Sequence, residues 1–221
     1  MLHLANKELI TSLIPVREFG DCNVLRVTEN GVTDYTHLSA FSRPKKGGIA
    51  AIGLKGDDTL VGVKLTSGSD SVLLGTAKGQ AIRFSEEAVR AMGRTARGVK
   101  GISLKKDDSI RGAVLVDESG SLLTVCENGY GKRTAVREYR DQGRGGKGLI
   151  NIKTSERNGD VIALLDVLES DDIILMTSSG KVVRIPVSSV SVIGRSTQGV
   201  RLIRLGADDK VVALAIAQTE A

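Results

Sequence analysis

The run Gln142-Gly143-Arg144-Gly145-Gly146-Lys147-Gly148 concentrates the chemistry that this sequence offers. Its four glycines let the backbone approach a ligand closely, while Arg144 and Lys147 supply positive charge. The run formally contains G-x-G-x-x-G. A dinucleotide fingerprint leads into a helix, however, and Leu149-Ile150-Asn151-Ile152 reads as a strand. It is not a Walker loop either, because Lys147 is followed by Gly148 instead of Ser or Thr. A merely flexible surface loop is the plain alternative. Catalytic sets are not visible: the histidines are His3 and His37, and neither Cys22 nor Cys126 has a histidine close in sequence. No catalytic residue, resident metal or cofactor is expected in this chain.

The elements that must position such a loop come from a chain of 221 residues that is 41% hydrophobic and 26% charged, the composition of a folded protein. It is long enough to bury a core without disulfide or metal staples, so Cys22 and Cys126 read as reduced thiols of a cytoplasmic protein. No window is long and apolar enough for a transmembrane helix. Met1–Glu8 lacks a basic stretch followed by an apolar one, so neither secretion nor a membrane partner is expected. Trp is absent and Phe plus Tyr total six, which argues against single-strand binding by aromatic stacking. Glycine is abundant and proline scarce, a mix that suggests many tight turns.

Those turns keep a period. Small polar runs ending in glycine recur at Gly31, Gly79, Gly129 and Gly180, with spacings of 48, 50 and 51 residues. A second set, Gly48-Ile49, Gly98-Val99, Gly148-Leu149 and Gly199-Val200, is spaced by 50, 50 and 51. A third set is acidic or polar: Asp57-Asp58, Asp107-Asp108, Arg157-Asn158 and Asp208-Asp209. Three landmarks in one order define four units, 7–58, 59–108, 109–158 and 159–209, followed by a closing strand at 210–217 that completes a neighbouring blade. The Asp pairs sit where turns favour Asp on structural grounds.

Each unit reads as strands. An apolar run precedes each glycine turn and an alternating run follows it, as in Asp172–Met176 and Lys181–Ile185, which makes a hairpin. A further pair, such as Val161–Leu165 and Val200–Arg204, completes about four strands per unit. Ser85–Met92 is the one stretch where a helix of one or two turns competes, with Ser85 as N-cap. Four strands at a period near fifty predict an all-β, propeller-like array of about four four-stranded blades in a single domain, 1–221. A β-sandwich or two small barrels is the alternative.

Charge follows the repeat. The formal net charge is only +5. Segments 31–55, 79–106, 129–153 and 180–204 carry +3, +5, +5 and +5, which leaves −13 for the rest. In a radial array these segments form a basic belt, and a basic belt around a disc suits bent duplex DNA held by its phosphates.

The loop at 142–148 resembles the Q-R-R-G-G-K/R-G box in the C-terminal domain of DNA gyrase A. Val63–Gly68, Val89–Gly93, Glu127–Thr134 and Gly194–Val200 match that family too, so the resemblance runs from about Leu9 to Ala217. Gln142, Arg144, Gly145, Gly146, Lys147 and Gly148 match the box, while Gly143 replaces a basic residue. The resemblance implies a β-pinwheel, a propeller variant whose blades exchange strands and whose rim wraps DNA in support of ATP-dependent negative supercoiling. It implies as partners double-stranded DNA and the remainder of gyrase A with gyrase B, in the bacterial cytoplasm at the nucleoid. ATP and Mg are expected only in the rest of that enzyme, as is its cleavage tyrosine. The family has about six blades with its principal box in the first. Four units with the box in the third therefore read as a stretch lacking the first two. Expected phosphate contacts are Arg43, Lys45, Lys46, Arg83, Arg94, Arg97, Lys132, Arg133, Arg144, Lys147, Arg184 and Arg195, together with Gln142 and the box glycines. The rival readings are the C-terminal domain of the paralogous topoisomerase IV and a propeller that grips an acidic protein partner.

Overall fold

Gly31, Gly79, Gly129 and Gly180 adopt φ of 80°, 77°, 78° and 82° and close four hairpins in the computed structural model, which describes residues 10–217. Each glycine N–H donates to the carbonyl three residues earlier, on Thr28, Thr76, Cys126 and Thr177. A turn of this kind ends on a left-handed residue, which is why glycine recurs there. The acidic pairs brace the same turns. One carboxylate oxygen each of Asp58, Asp108 and Asp209 accepts the N–H of the residue just before the glycine, at 3.0, 2.9 and 2.9 Å.

The chain begins with β1 (Asn23–Thr28), β2 (Val32–His37) and β3 (Leu60–Thr66). It continues through β4 (Ser71–Thr76), β5 (Gln80–Ser85), β6 (Val99–Lys100) and β7 (Ile110–Leu115). Next come β8 (Ser121–Cys126), β9 (Tyr130–Ala135), β10 (Leu149–Ile150) and β11 (Val161–Val167). The last are β12 (Asp172–Thr177), β13 (Val182–Pro186), β14 (Val200–Arg201) and β15 (Val211–Ala217).

The sheets are β3-β1-β2-β6, β10-β5-β4-β7, β11-β8-β9-β14 and β13-β12-β15. Every strand pairing within them is antiparallel. Each hairpin takes an inner strand from the start of the following unit and, in the first three sheets, a two-residue outer strand from that unit's loop. Val161–Leu165 and Val200–Arg201 therefore complete the sheet of the β8–β9 hairpin, not that of the β12–β13 hairpin beside them in sequence. This is the exchange that the family resemblance implies. The expected four-stranded count holds for three sheets, and the fourth has three strands because β13 has no outer partner among the described residues. The tail strand β15 pairs with β12 as the repeat phase foretells.

Core residues lie between neighbouring sheets. Leu25, Tyr35, Leu74 and Phe84 pack between the first two. Leu73, Leu122, Tyr139 and Leu164 pack between the second and third, and Leu123, Ile173 and Leu175 beyond them. The helix suggested at Ser85–Met92 shortens to one 3-10 turn, Glu86–Ala88, capped by the Ser85 hydroxyl oxygen accepting the Glu87 N–H at 3.2 Å. The same turn recurs at Leu38–Phe41, Val136–Glu138 and Val187–Ser189. Cys126 is buried, and burial pushes its thiol pKa up to about 12, so it packs as an inert apolar group. Cys22 is half-buried. No helix among the described residues is long and apolar enough to cross a membrane.

Candidate nucleic-acid interface

The outer strands β6, β10 and β14 sit at the edges of their sheets opposite β3, β7 and β11. Each is reached through a loop that ends on a glycine with positive φ: Gly98 at 70°, Gly148 at 71° and Gly199 at 79°. These glycines press on the preceding hairpin. A Cβ on Gly148 would lie 2.5 Å from the Ala81 carbonyl oxygen, and one on Gly98 would lie 2.6 Å from that of Thr33.

Adjacent loops are hydrogen-bonded to one another in one repeated pattern. The N–H groups of Gly53, Ser103 and Lys153 donate to the carbonyls of Ala96, Gly146 and Thr197 at 3.0, 2.8 and 2.8 Å. An arginine at one repeat position clamps each junction. Arg94, Arg144 and Arg195 donate through Nη1 to the carbonyls of Ala50, Lys100 and Ile150 at 3.1, 3.4 and 3.0 Å. The four loops thus form one continuous rim. In the 142–148 run, Gly145 N–H donates to the Gly101 carbonyl at 2.6 Å, and Gln142 N–H donates to that of Arg83 at 2.9 Å. Arg144 Nε adds a bond to the Ala88 carbonyl at 2.9 Å. Here the close approach made possible by glycine is used first against the neighbouring loop.

The structure sorts the expected contacts. Arg43, Lys45, Lys46, Arg97, Arg144 and Lys147 are exposed on the rim loops, and Arg94, Arg195 and Gln142 are half-buried there. Arg184 is exposed but stands on β13, where its Nε donates to Asp172 at 2.7 Å.

Arg83, Lys132 and Arg133 are a correction, because their side chains are buried beneath the next unit's loop and cannot reach a phosphate. Arg83 donates to the Tyr139 carbonyl at 3.3 Å and pairs with Glu118 and Asp141. Arg133 donates to the Val190 carbonyl at 2.8 Å and pairs with Glu169. The Lys132 ammonium donates to the carbonyls of Gly194 and Arg195 at 2.7 and 2.8 Å. Arg26, buried and paired with Asp34 at 2.7 Å, holds the Arg94 carbonyl at 3.4 Å in the equivalent place under an earlier loop. These cations fix the rim from below.

Burial drags the Lys132 pKa down to about 8, with Glu138 resisting and Arg195 adding to the fall. A cation whose folded pKa lies below its unfolded value, about 10.4, binds fewer protons folded than unfolded between those two values. Its cost to stability is therefore full below about pH 8 and disappears as pH rises toward about 10.4. Thermal melts should show the native protein gaining stability from pH 8 to 10 relative to Lys132→Met. Parallel pH profiles would mean that Lys132 is hydrated in the folded state.

Sequence reasoning also missed a cluster. Arg157 and Arg201 stand against Tyr130, and Arg204 joins them in lining a cavity of about 360 Å³. The signal was in the repeat, since Arg157 stands where the other units have Asp57, Asp107 and Asp208.

Known proteins bear on this geometry. The model of the DNA gyrase C-terminal domain, beta-propeller family matches residues 23–67, 70–117, 120–167 and 171–218. The gyrase A protein of Salmonella typhimurium is 48% identical over 215 residues, covering 97% of this chain and 24% of that protein. Its counterpart from Halalkalibacterium halodurans is 52% identical over 216 residues, again covering 97% of this chain and 26% of that protein. The chain thus spans about a quarter of the length of these relatives. A solved C-terminal domain of DNA topoisomerase IV superposes with a TM-score of 0.87 at 26% identity, covering 93% of this chain and 65% of that one. A DNA gyrase A C-terminal domain superposes with a TM-score of 0.82 at 28% identity, covering 91% and 68%. The fourfold match of the family model, on a rim built by strand exchange, places this chain in the DNA gyrase C-terminal domain, beta-propeller family.

Proposed function

We propose that this chain wraps duplex DNA around its basic rim through sequence-independent phosphate contacts, as the C-terminal module of a gyrase A protein supporting ATP-dependent negative supercoiling. The observation that carries the reading is the continuous rim itself: four loops joined by backbone hydrogen bonds and arginine clamps, presenting Arg43, Lys45, Lys46, Arg97 and Lys147 to solvent. A rigid charged rim suits DNA bending, because bending a 20–30 bp site costs on the order of 1–6 kcal/mol that many fixed phosphate contacts must offset. The cleavage and ATP chemistry, with its Mg, then belongs to the remainder of gyrase A and to gyrase B, in the bacterial cytoplasm. The gyrase reading is preferred over topoisomerase IV because the sequence relatives at 48% and 52% identity are gyrase A proteins.

Duplex binding measured by fluorescence anisotropy should weaken roughly 10³–10⁵-fold between 50 and 200 mM salt, the dependence of about 6–10 neutralised phosphates. A relaxed plasmid incubated with the chain and a relaxing topoisomerase should shift in linking number. A flat salt dependence overturns the rim as the DNA surface, and steep binding with no shift in linking number overturns wrapping by this chain alone.

A further inference from the structure

We propose that the cavity formed by Tyr130, Arg157, Arg201 and Arg204 is a phosphate-binding site. Tyr130 and Arg201 face each other across the β9–β14 pair, and Arg201 Nη2 donates to the Tyr130 hydroxyl oxygen at 2.8 Å. The Arg157 and Arg201 guanidinium carbons lie 4.7 and 5.4 Å from the centre of the Tyr130 ring, so the ring carries two cations. Ile203 and Leu205 line the same cavity with Arg204.

None of the residues lining the cavity is acidic, and among the described residues Arg157, Arg201 and Arg204 make no salt bridge. Arg157 spends one N–H on the Gln198 side-chain oxygen at 3.3 Å, a neutral acceptor. The Arg157 and Arg201 guanidinium groups, held on one ring without a carboxylate, repel one another, and that repulsion is relieved when an anion enters. Planar guanidinium forks match phosphate oxygens two at a time. The Tyr130 oxygen already accepts from arginine, which leaves its O–H to donate to a phosphate oxygen. The neighbouring guanidinium groups, Arg157's first and then Arg201's, hold the Tyr130 pKa below its usual value and strengthen it as a donor.

The site is unique within the repeat. The positions equivalent to Tyr130 are Val32, Gln80 and Lys181, and those equivalent to Arg157 are acidic. Because β14 is an outer strand, the cavity opens beside the rim, where one phosphodiester of a wrapped duplex would seat. That source rests on the DNA reading above, and the other source of the same chemistry is a free phosphate group. On a duplex held otherwise by interchangeable contacts, one built pocket fixes where the path begins its count.

The test follows the ring resonances of Tyr130 by NMR, with inorganic phosphate and, separately, a 30-bp duplex as probes at constant ionic strength. Both probes should move Tyr130, and neither should do so in the Arg157→Gln/Arg201→Gln variant, whose two exposed substitutions leave the fold in place. In that variant the slope of log affinity against log salt for the duplex should fall by about 1, for the one phosphate no longer neutralised. Tyr130→Phe should weaken phosphate binding and leave the slope unchanged. Movement with phosphate alone, with an unaltered duplex slope, overturns the duplex as source and supports a free phosphate group. Movement with neither probe, in a protein that still binds duplex, overturns the site and leaves the DNA reading standing. A native chain that binds no duplex overturns the DNA reading, and the site is then decided by the phosphate titration.

Discussion

Reversing Lys45, Lys46, Arg97 and Lys147 to Glu is expected to weaken duplex binding by about 10³-fold or more at 0.1 M salt, with little change in melting temperature. The size follows from counterion release. A slope of about −0.9 per phosphate contact makes each contact worth roughly eightfold in affinity at 0.1 M relative to 1 M salt. Four lost contacts compound to more than 10³ on that scale, and the formal charge also falls from +5 to −3. All four side chains are exposed, and none makes a side-chain hydrogen bond or salt bridge among the described residues, so their loss leaves the packing intact. Arg94, Arg144 and Arg195 are unsuitable for this purpose, because each clamps the loop before it and its removal would confound binding with structure. Anisotropy titrations set against thermal melts separate the two effects. Retained affinity in a folded variant would place the DNA on another face.

Gly148→Ala is expected to destabilise the protein by roughly 2–5 kcal/mol, whereas Gly48→Ala at the same repeat position costs only about 1–2. Both glycines have positive φ, 71° and 78°, so an L side chain pays the left-handed penalty of about 1–2 kcal/mol at either. At Gly148 the added Cβ also falls 2.5 Å from the Ala81 carbonyl oxygen and 2.9 Å from its carbon. Those are backbone atoms of β5, which cannot rotate away, and such overpacking adds about 1–3 kcal/mol. At Gly48 there is nothing within 4 Å, because that loop has no preceding hairpin among the described residues. Denaturant melts of the two variants read the difference directly. Equal losses would mean that the outer strand at 149–150 is not seated on β5 as described.

These features differ in how plainly the sequence announces them. The hairpins were legible because an Asn-Gly, Lys-Gly or Ser-Gly turn between two apolar runs is a local signal, and the phase at 210–217 gave away the closing strand. The exchange of flanking strands has no local signal. A two-residue strand such as Leu149–Ile150 is too short to show a period, and its partner Gln80–Ala81 lies about seventy residues earlier. The charge belt was legible as a sum over loops, and its membership was not. Arg83 alternates with Ile82 and Phe84 as a surface residue does, Lys132-Arg133 reads as a charged pair, and only the next unit's loop folded over them takes them out of solvent. The helix suggested at Ser85–Met92 stopped after one turn because Val89 leaves helical geometry, with φ −118° and ψ 112°, as the chain turns outward to the rim. Arg157 reads as one more turn residue because it keeps the period, and only its sign sets its unit apart from the other three.

The lending of strands has a consequence for how the molecule comes apart. No sheet here is the product of one fifty-residue stretch, since each hairpin is flanked by pieces of the stretch that follows. A unit excised at its sequence boundaries would carry a bare hairpin and strands with nothing to pair with, and a lone hairpin is at best marginally stable in water. Stability is thus invested in the seams between units rather than in the units, the limit in which a repeat array melts as one body instead of blade by blade.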